Sequence, residues 1–374
     1  QGNLRLAAGN DLNAKAANVQ AGGALTATAG NSVNITAGQS TSSFSWGMTT
    51  SESDLFSATS TKERKTSEQA NAVGSSFGGN TVTIASGQDI HVLGSSVISD
   101  TGTTLEAGRN LTLEAAQNTS SSTSFYEKKE SGLLDSGGAG ITIGSREQST
   151  DQKNRSTSAA ASTVGSIGGN VTLIAGEQYR QVGSDVLAPN GDITIVAKKV
   201  DIVEARETSR TDIEQKFKQS GITVAISNPV LSAMQNAEGM AQAIGNTSDS
   251  RMQALGAAAI GLNGYNTYNS LTDKAGNFDA DKAQGVSVSI SLGSSKSQSN
   301  STNQSDTARG STVAAGNNVS ITATGAGADS NLTVQGSSVT AGNNAILAAD
   351  NQVKLLAAQN TASQSSTNSS SSGS

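Results

Sequence analysis

The sequence predicts an all-β protein: a right-handed parallel β-helix, or solenoid, from which antiparallel β-hairpins and one small helical insert project. Three observations lead there. The phrase Gly79-Asn80-Thr81-Val82-Thr83-Ile84-Ala85-Ser86-Gly87, a Gly-Asn corner followed by a short alternating strand, returns at 169–176 and 316–323, with looser copies at 2–9 and 30–38. Apolar positions repeat at a step of 21 residues, as in Leu4 to Leu25, Leu12 to Val33, Ile84 to Leu105 and Leu332 to Val353. Proline, which removes a donor from a strand ladder, occurs only 2 times in 374 residues. A fixed period of about 20 residues with short alternating strands marks a stacked solenoid, in which no coil can bury its apolar face alone.

The elements follow from that period. Each unit holds two coils, and the first pair in unit two is built on Val82-Thr83-Ile84 with Ile90-His91-Val92, the second on Leu105 with Leu111-Thr112-Leu113. Gly94-Ser95-Ser96-Val97 joins them and is echoed by Gly183-Ser184-Asp185-Val186 and Gly336-Ser337-Ser338-Val339. After each coil pair comes a polar excursion, expected to be a hairpin. Its arms are predicted at 41–54 and 61–71, at 124–134 and 141–155, and in unit three as alternating strands through Ile222, Val224, Ile226 and through Val286, Val288, Ile290, Leu292. Between the last two, Asn228-Pro229 offers a helix N-cap and first-turn proline, and apolar residues then recur at helical spacing, so 228–284 is expected to carry an αα-hairpin. The expected divisions are 1–79, 80–169, 170–318 and 319–374, the last a truncated unit.

Composition fits a thin solenoid core. Hydrophobic residues are 34% and aromatics 3%, with 41 Gly. The absence of Cys excludes disulfide and thiolate-metal frameworks. A net charge of -6 with no long basic run argues against nucleic acid as a partner. No apolar run is long enough to span a membrane as a helix. The chain opens inside a coil and closes in a Ser/Thr stretch like Thr119-Ser120-Ser121-Ser122, so it reads as part of a longer protein.

Candidate chemistry is sparse. His91 is the only histidine and alternates away from its apolar neighbours Ile90 and Val92, so it is expected to be an ordinary outward side chain. Asp89, Glu106, Glu114, Asp192 and Asp201 are not clustered at one-coil spacing, as acid–base hydrolysis would need. The run Gly137-Gly138-Ala139-Gly140 lacks the Lys-Ser/Thr of a phosphate loop and reads as a turn. Asn80, Asn110, Asn170 and Asn317 are expected at corners, where Asn tolerates left-handed backbone and its amide can ladder between coils. Lys62-Glu63-Arg64-Lys65 is expected at a solvated hairpin edge. No catalytic residue, cofactor site or metal site is expected.

The Gly-Asn-x-apolar-x-apolar-x-Ala-Gly coils resemble the repeats of the filamentous haemagglutinin family of two-partner-secretion exoproteins. Residues 169–205, with Asn228-Pro229-Val230-Leu231 and Arg251-Met252-Gln253-Ala254-Leu255, resemble the second haemagglutinin-repeat region of CdiA-type contact-dependent growth inhibition effectors. The resemblance implies a secreted, cell-surface, non-catalytic segment that helps deliver a C-terminal toxin across the target-cell outer membrane. The alternative it leaves open is a filamentous adhesin shaft. It further implies as partners an outer-membrane secretion transporter for the full-length protein, and a target-cell outer membrane or surface receptor. The sequence contains no Val-Glu-Asn-Asn pretoxin boundary, so the killing activity is expected to lie elsewhere. Candidate membrane or partner contacts are Ile222, Val224, Ile226, Met234, Ile244, Met252, Leu255, Val286, Val288, Ile290 and Leu292.

Overall fold

The computed structural model describes residues 2–135, 140–227 and 287–373. The helical insert expected at 228–284 lies outside them. The described chain is a stack of parallel coils with long arms leaving every second coil. The first coil is β1 (Leu4–Ala8), β2 (Leu12–Lys15) and β3 (Asn18–Gln20). The second is β4 (Ala24–Ala29) and β5 (Val33–Thr36), then an arm of β6 (Gly38–Ser53) and β7 (Ser57–Val73), then the start of β8 (Ser76–Ser86). The third runs from the rest of β8 through β9 (Ile90–Leu93) to the start of β10 (Ser96–Ala107). The fourth takes the rest of β10, β11 (Asn110–Glu114), the arm β12 (Ala116–Asp135) and β13 (Gly140–Ala160), and β14 (Thr163–Ser166).

The remaining coils repeat this alternation. The fifth is β15 (Asn170–Ala175), β16 (Gln178–Val182) and β17 (Asp185–Ala188). The sixth is β18 (Ile193–Ala197) and β19 (Lys199–Val203), the arm strands β20 (Ala205–Ser227) and β21 (Ser287–Arg309), and β22 (Thr312–Ala315). The seventh is β23 (Val319–Ala323), β24 (Asn331–Gln335) and β25 (Ser338–Ala341). The eighth is β26 (Ala345–Ala349) and β27 (Gln352–Leu356), leading into β28 (Thr361–Gly373). Stacking gives three columns of parallel strands. Two merge into a 13-stranded sheet because β8 and β10 run through both, and the third is an 8-stranded sheet.

The 21-residue step is the register of the stack: Leu4 pairs with Leu25, Leu12 with Val33, Ile84 with Leu105 and Leu332 with Val353. Inward positions superpose into vertical files, such as Leu6, Ala27, Ile84, Leu105, Leu173, Ile195, Ile321 and Leu347. Ile84, Leu105, Leu173, Ile195 and Ile321 are all 0% exposed. Burying each such side chain stabilises the stack by about 1.5–3 kcal/mol. Polar pairs interrupt the files, among them Tyr179 and Gln181, both fully buried, where the Tyr179 hydroxyl donates to Gln181 Oε1 at 2.9 Å.

A serine ladder fixes the corner from which the arms leave. The backbone N–H of Ser75 donates to Ser95 Oγ, Ser95 to Ser162, Ser162 to Ser184, Ser184 to Ser311 and Ser311 to Ser337, at 3.0–3.4 Å. Each hydroxyl in turn donates to a backbone carbonyl nearby, so every hydroxyl of the ladder has a partner. At the same corner, coils without an arm turn directly through Gly94, Gly183 and Gly336 at φ of +54°, +52° and +55°. A Cβ on Gly183 would stand 2.4 Å from the Cβ of Ala205, where the next arm departs. Among the described residues the only non-glycine at positive φ is Ala16 in coil one. The asparagines therefore do not take the left-handed role expected of them. They act through side chains, as where Asn110 Nδ2 donates to Asp89 Oδ1 at 2.9 Å and Asn318 Nδ2 to Asp192 Oδ1 at 2.9 Å.

The arms form one 7-stranded antiparallel sheet in the order β28-β21-β20-β13-β12-β7-β6. Coils and strands share a spacing of about 4.8 Å, so arms two coils apart stand about 9.6 Å apart, which is the width of a two-stranded arm. The match lets consecutive arms pair without a gap. The arms are longer than their apolar alternation implies, starting at Gly38, Ala116 and Ala205, directly at the solenoid wall. Lys62-Glu63-Arg64-Lys65 is not at an edge as expected. It lies on β7, an interior strand between β6 and β12, because the next arm covers what would be the free side. There Arg64 sits 4.8 Å over the Phe125 ring and Lys65 5.9 Å over Trp46.

Candidate functional site

The far end of the arm sheet differs from the rest in residue type. At their roots the strands are almost all Ser, Thr, Asn, Gln and charged residues, and in mid-arm Phe44, Trp46 and Met48 are exposed on β6. A row of glycines then crosses the sheet in register: Gly132, Gly144, Gly221 and Gly293. Strand backbones approach closely along it, since a Cβ on Gly144 would meet Ser220 O and one on Gly132, at φ +102°, would meet Phe56 O. Beyond this row the strands become one-sidedly apolar.

Leu133, Ile143, Ile222 and Leu292 stand in one register row, and Ile141, Val224 and Ile290 in the next. They share one face of the sheet, because residues two apart on a strand point the same way. Ile143 is 57% exposed, Ile290 74% and Leu292 70%. The opposite face at the same level is closed and mixed: Leu134 and its register partner Thr142 are buried, and the Thr142 hydroxyl lies 2.8 Å from that of Thr223. At the tip of the first arm Leu55 and Phe56 are also exposed. A contiguous apolar sheet face left open to water is unusual on a folded protein.

Of the sequence-predicted contact residues, Ile222, Val224, Ile290 and Leu292 are brought together on this face. Ile226 and Val288 pair with each other in the register of the same two strands. Val286, Met234, Ile244, Met252 and Leu255 lie outside the described residues. The sequence reading passed over Leu133, Ile141 and Ile143 of the second arm. Their signal was present in the alternation Ile141-Thr142-Ile143, which copies Ile222-Thr223-Val224.

The solenoid itself offers surface pairs rather than a reaction centre. His91 Nε2 lies 3.2 Å from Glu114 Oε2, and Arg180 also reaches Glu114, so three consecutive coils are clasped on their outer wall. The Arg109 guanidinium beside Asp89 holds its carboxyl below the usual carboxylate range. Among the described residues no three His, Asp or Glu side chains converge as metal ligands would. No described helix is long and apolar enough to cross a membrane.

Stacked parallel coils with lateral arms define a β-solenoid repeat protein. The hemagglutinin repeat family matches residues 1–54, 56–148, 141–295 and 290–374, and the chain belongs to that family. It is similar to the 16S rRNA endonuclease CdiA of Enterobacter cloacae, 39% identical over 307 residues, which are 80% of this chain and 9% of that protein. It is 40% identical over the same share to the tRNA nuclease CdiA of Escherichia coli O6:K15:H31. It is 34% identical to the deoxyribonuclease CdiA of Dickeya dadantii over 99% of this chain and 11% of that protein. The chain thus spans about a tenth of the length of these three relatives. No solved structure matches it.

Proposed function

We propose that this repeat region is a non-catalytic delivery segment of a large, secreted, two-partner exoprotein at the bacterial cell surface. In that role it helps carry a C-terminal toxin across the outer membrane of a target cell. The observation that carries the reading is the one-sided apolar end of the arm sheet, held far from the solenoid. Strands of 23 residues at about 3.4 Å each reach roughly 75 Å outward. Alternating apolar residues on adjacent antiparallel strands are what a bilayer-facing sheet presents. The partners of the full-length protein are then its outer-membrane secretion transporter and the target-cell outer membrane or a receptor on it.

The test is a full-length effector carrying Val288→Asp and Ile290→Asp. Secretion and target-cell binding should be retained while toxin entry is lost. Normal entry in cells that still display the variant would remove the membrane role. A second reading, a filamentous adhesin shaft, draws on the uninterrupted coil stack, which needs no apolar tip. Deleting residues 1–374 separates the two, since a shaft loses reach or attachment, whereas a delivery segment loses entry alone.

A further inference from the structure

On the same face as the apolar rows, the sheet carries two polar rows whose residue types repeat across strands. Ser131, Ser145, Ser220 and Ser294 are in register next to the glycines. One step nearer the solenoid, Lys129, Glu147, Lys218 and Lys296 are in register. These two rows form the floor of an open trough of about 990 Å³ that touches all seven strands. Glu147 lies between two of the lysines, 3.5 Å from Lys129 and 3.6 Å from Lys218. Three lysines less one glutamate leave the row at a net of +2, in a chain whose net charge is -6. Lys129 and Lys218 are about half exposed.

We propose that this trough seats the phosphate-bearing headgroup of an acidic lipid, with its acyl chains over the rows of Leu133, Ile143, Ile222 and Leu292. The inference rests on the membrane contact read above and adds the lipid class and the residues that select it. The order from the solenoid outward is cation, hydroxyl, hydrocarbon. A lipid presents the same order from phosphate through its polar linkage to its chains. Lysine and apolar rows are four residues apart, about 13 Å. A headgroup layer of roughly 5–8 Å plus the reach of a lysine side chain fills that interval. Lysine binds phosphate as a point charge and needs no fixed fork, which suits a laterally mobile headgroup. A second copy of the chain packed face to face does not account for the lysine row. It would bring lysines against lysines or against hydrocarbon.

The test uses the 374-residue chain and vesicle co-sedimentation. One set of vesicles is phosphatidylcholine alone, the other phosphatidylcholine mixed with phosphatidylglycerol. Binding to the acidic vesicles should be at least about tenfold tighter and should weaken as salt is raised. The triple variant Lys129→Gln, Lys218→Gln, Lys296→Gln should lose that preference and keep its binding to neutral vesicles. Glu147→Gln, which raises the row charge, should strengthen the preference. Ile143→Ser with Leu292→Ser should weaken binding to both vesicles. Equal binding of the wild type to both vesicles, or a preference that survives the triple variant, would overturn the headgroup site and leave the apolar contact standing. Failure of the wild type to bind either vesicle would overturn both.

Discussion

At the scale of single residues, backbone geometry and side-chain partners make different demands that can be separated. Gly183 needs a left-handed backbone and has no room for a Cβ beside Ala205, at 2.4 Å. Gly183→Val should therefore cost about 3 kcal/mol or more, measured by chemical unfolding. Gly102 has open space around its missing Cβ, the nearest atom being 3.9 Å away, and Gly102→Ala should cost less than about 1 kcal/mol. Two groups add pH dependence in opposite directions. Arg109 and Asn110 hold the Asp89 carboxyl down, so its contribution is present above the ordinary aspartate pKa of about 3.9 and fades as pH falls through the depressed value. Asp89→Asn should reduce acid sensitivity in that range. Burial pushes the Tyr179 phenol well up, so its contribution is intact below pH about 10 and is lost as pH rises through the raised value. Tyr179→Phe should soften alkaline unfolding. At neutral pH it should cost about 1–3 kcal/mol, because Gln181 loses its donor.

At the scale of elements, strands of the two kinds should respond oppositely to one substitution. Ile195 on β18 is 0% exposed and packed between coils, so Ile195→Asp should unfold the stack, costing more than about 4 kcal/mol. Ile290 on β21 is 74% exposed, so Ile290→Asp should change stability by less than about 1 kcal/mol while altering surface behaviour. Denaturant midpoints of the two variants check both statements. The coils were legible in the sequence because each strand buries one face, which writes period-2 alternation, and stacking repeats it, mostly at 21 residues, between coils with no arm between them. The arms were only partly legible. Along Ser120-Ser121-Ser122-Thr123-Ser124 both faces meet water, so no alternation is selected and hydrogen bonding alone holds the strand. The pattern that local reading detects is carried by the far ends, Ile141 to Ile143 and Ile222 to Val224, and by Phe44, Trp46 and Met48 in the first arm.

At the scale of the whole molecule, the joining of separate arms into one sheet had no local signature. It follows from counting coils: an arm on every second coil, each arm two strands wide, all at one spacing. Deleting residues 171–192 removes one armless coil, since Val171 and Ile193 are register partners. The second and third arms would then be rooted about 4.8 Å apart with two strands to fit in one strand's width. That variant should show protease cleavage within the arms and a lowered melting temperature. Deleting 82–170 removes two coils with their arm, again between register partners, and should leave a folded, protease-resistant molecule.

The spacing match also constrains how such a gene can change. A loss or duplication that spans two coils and their arm rejoins both the stack and the sheet, whereas any odd step breaks the sheet even where the stack heals. A change in coil number that preserves both the stack and the arm sheet therefore comes in whole pairs.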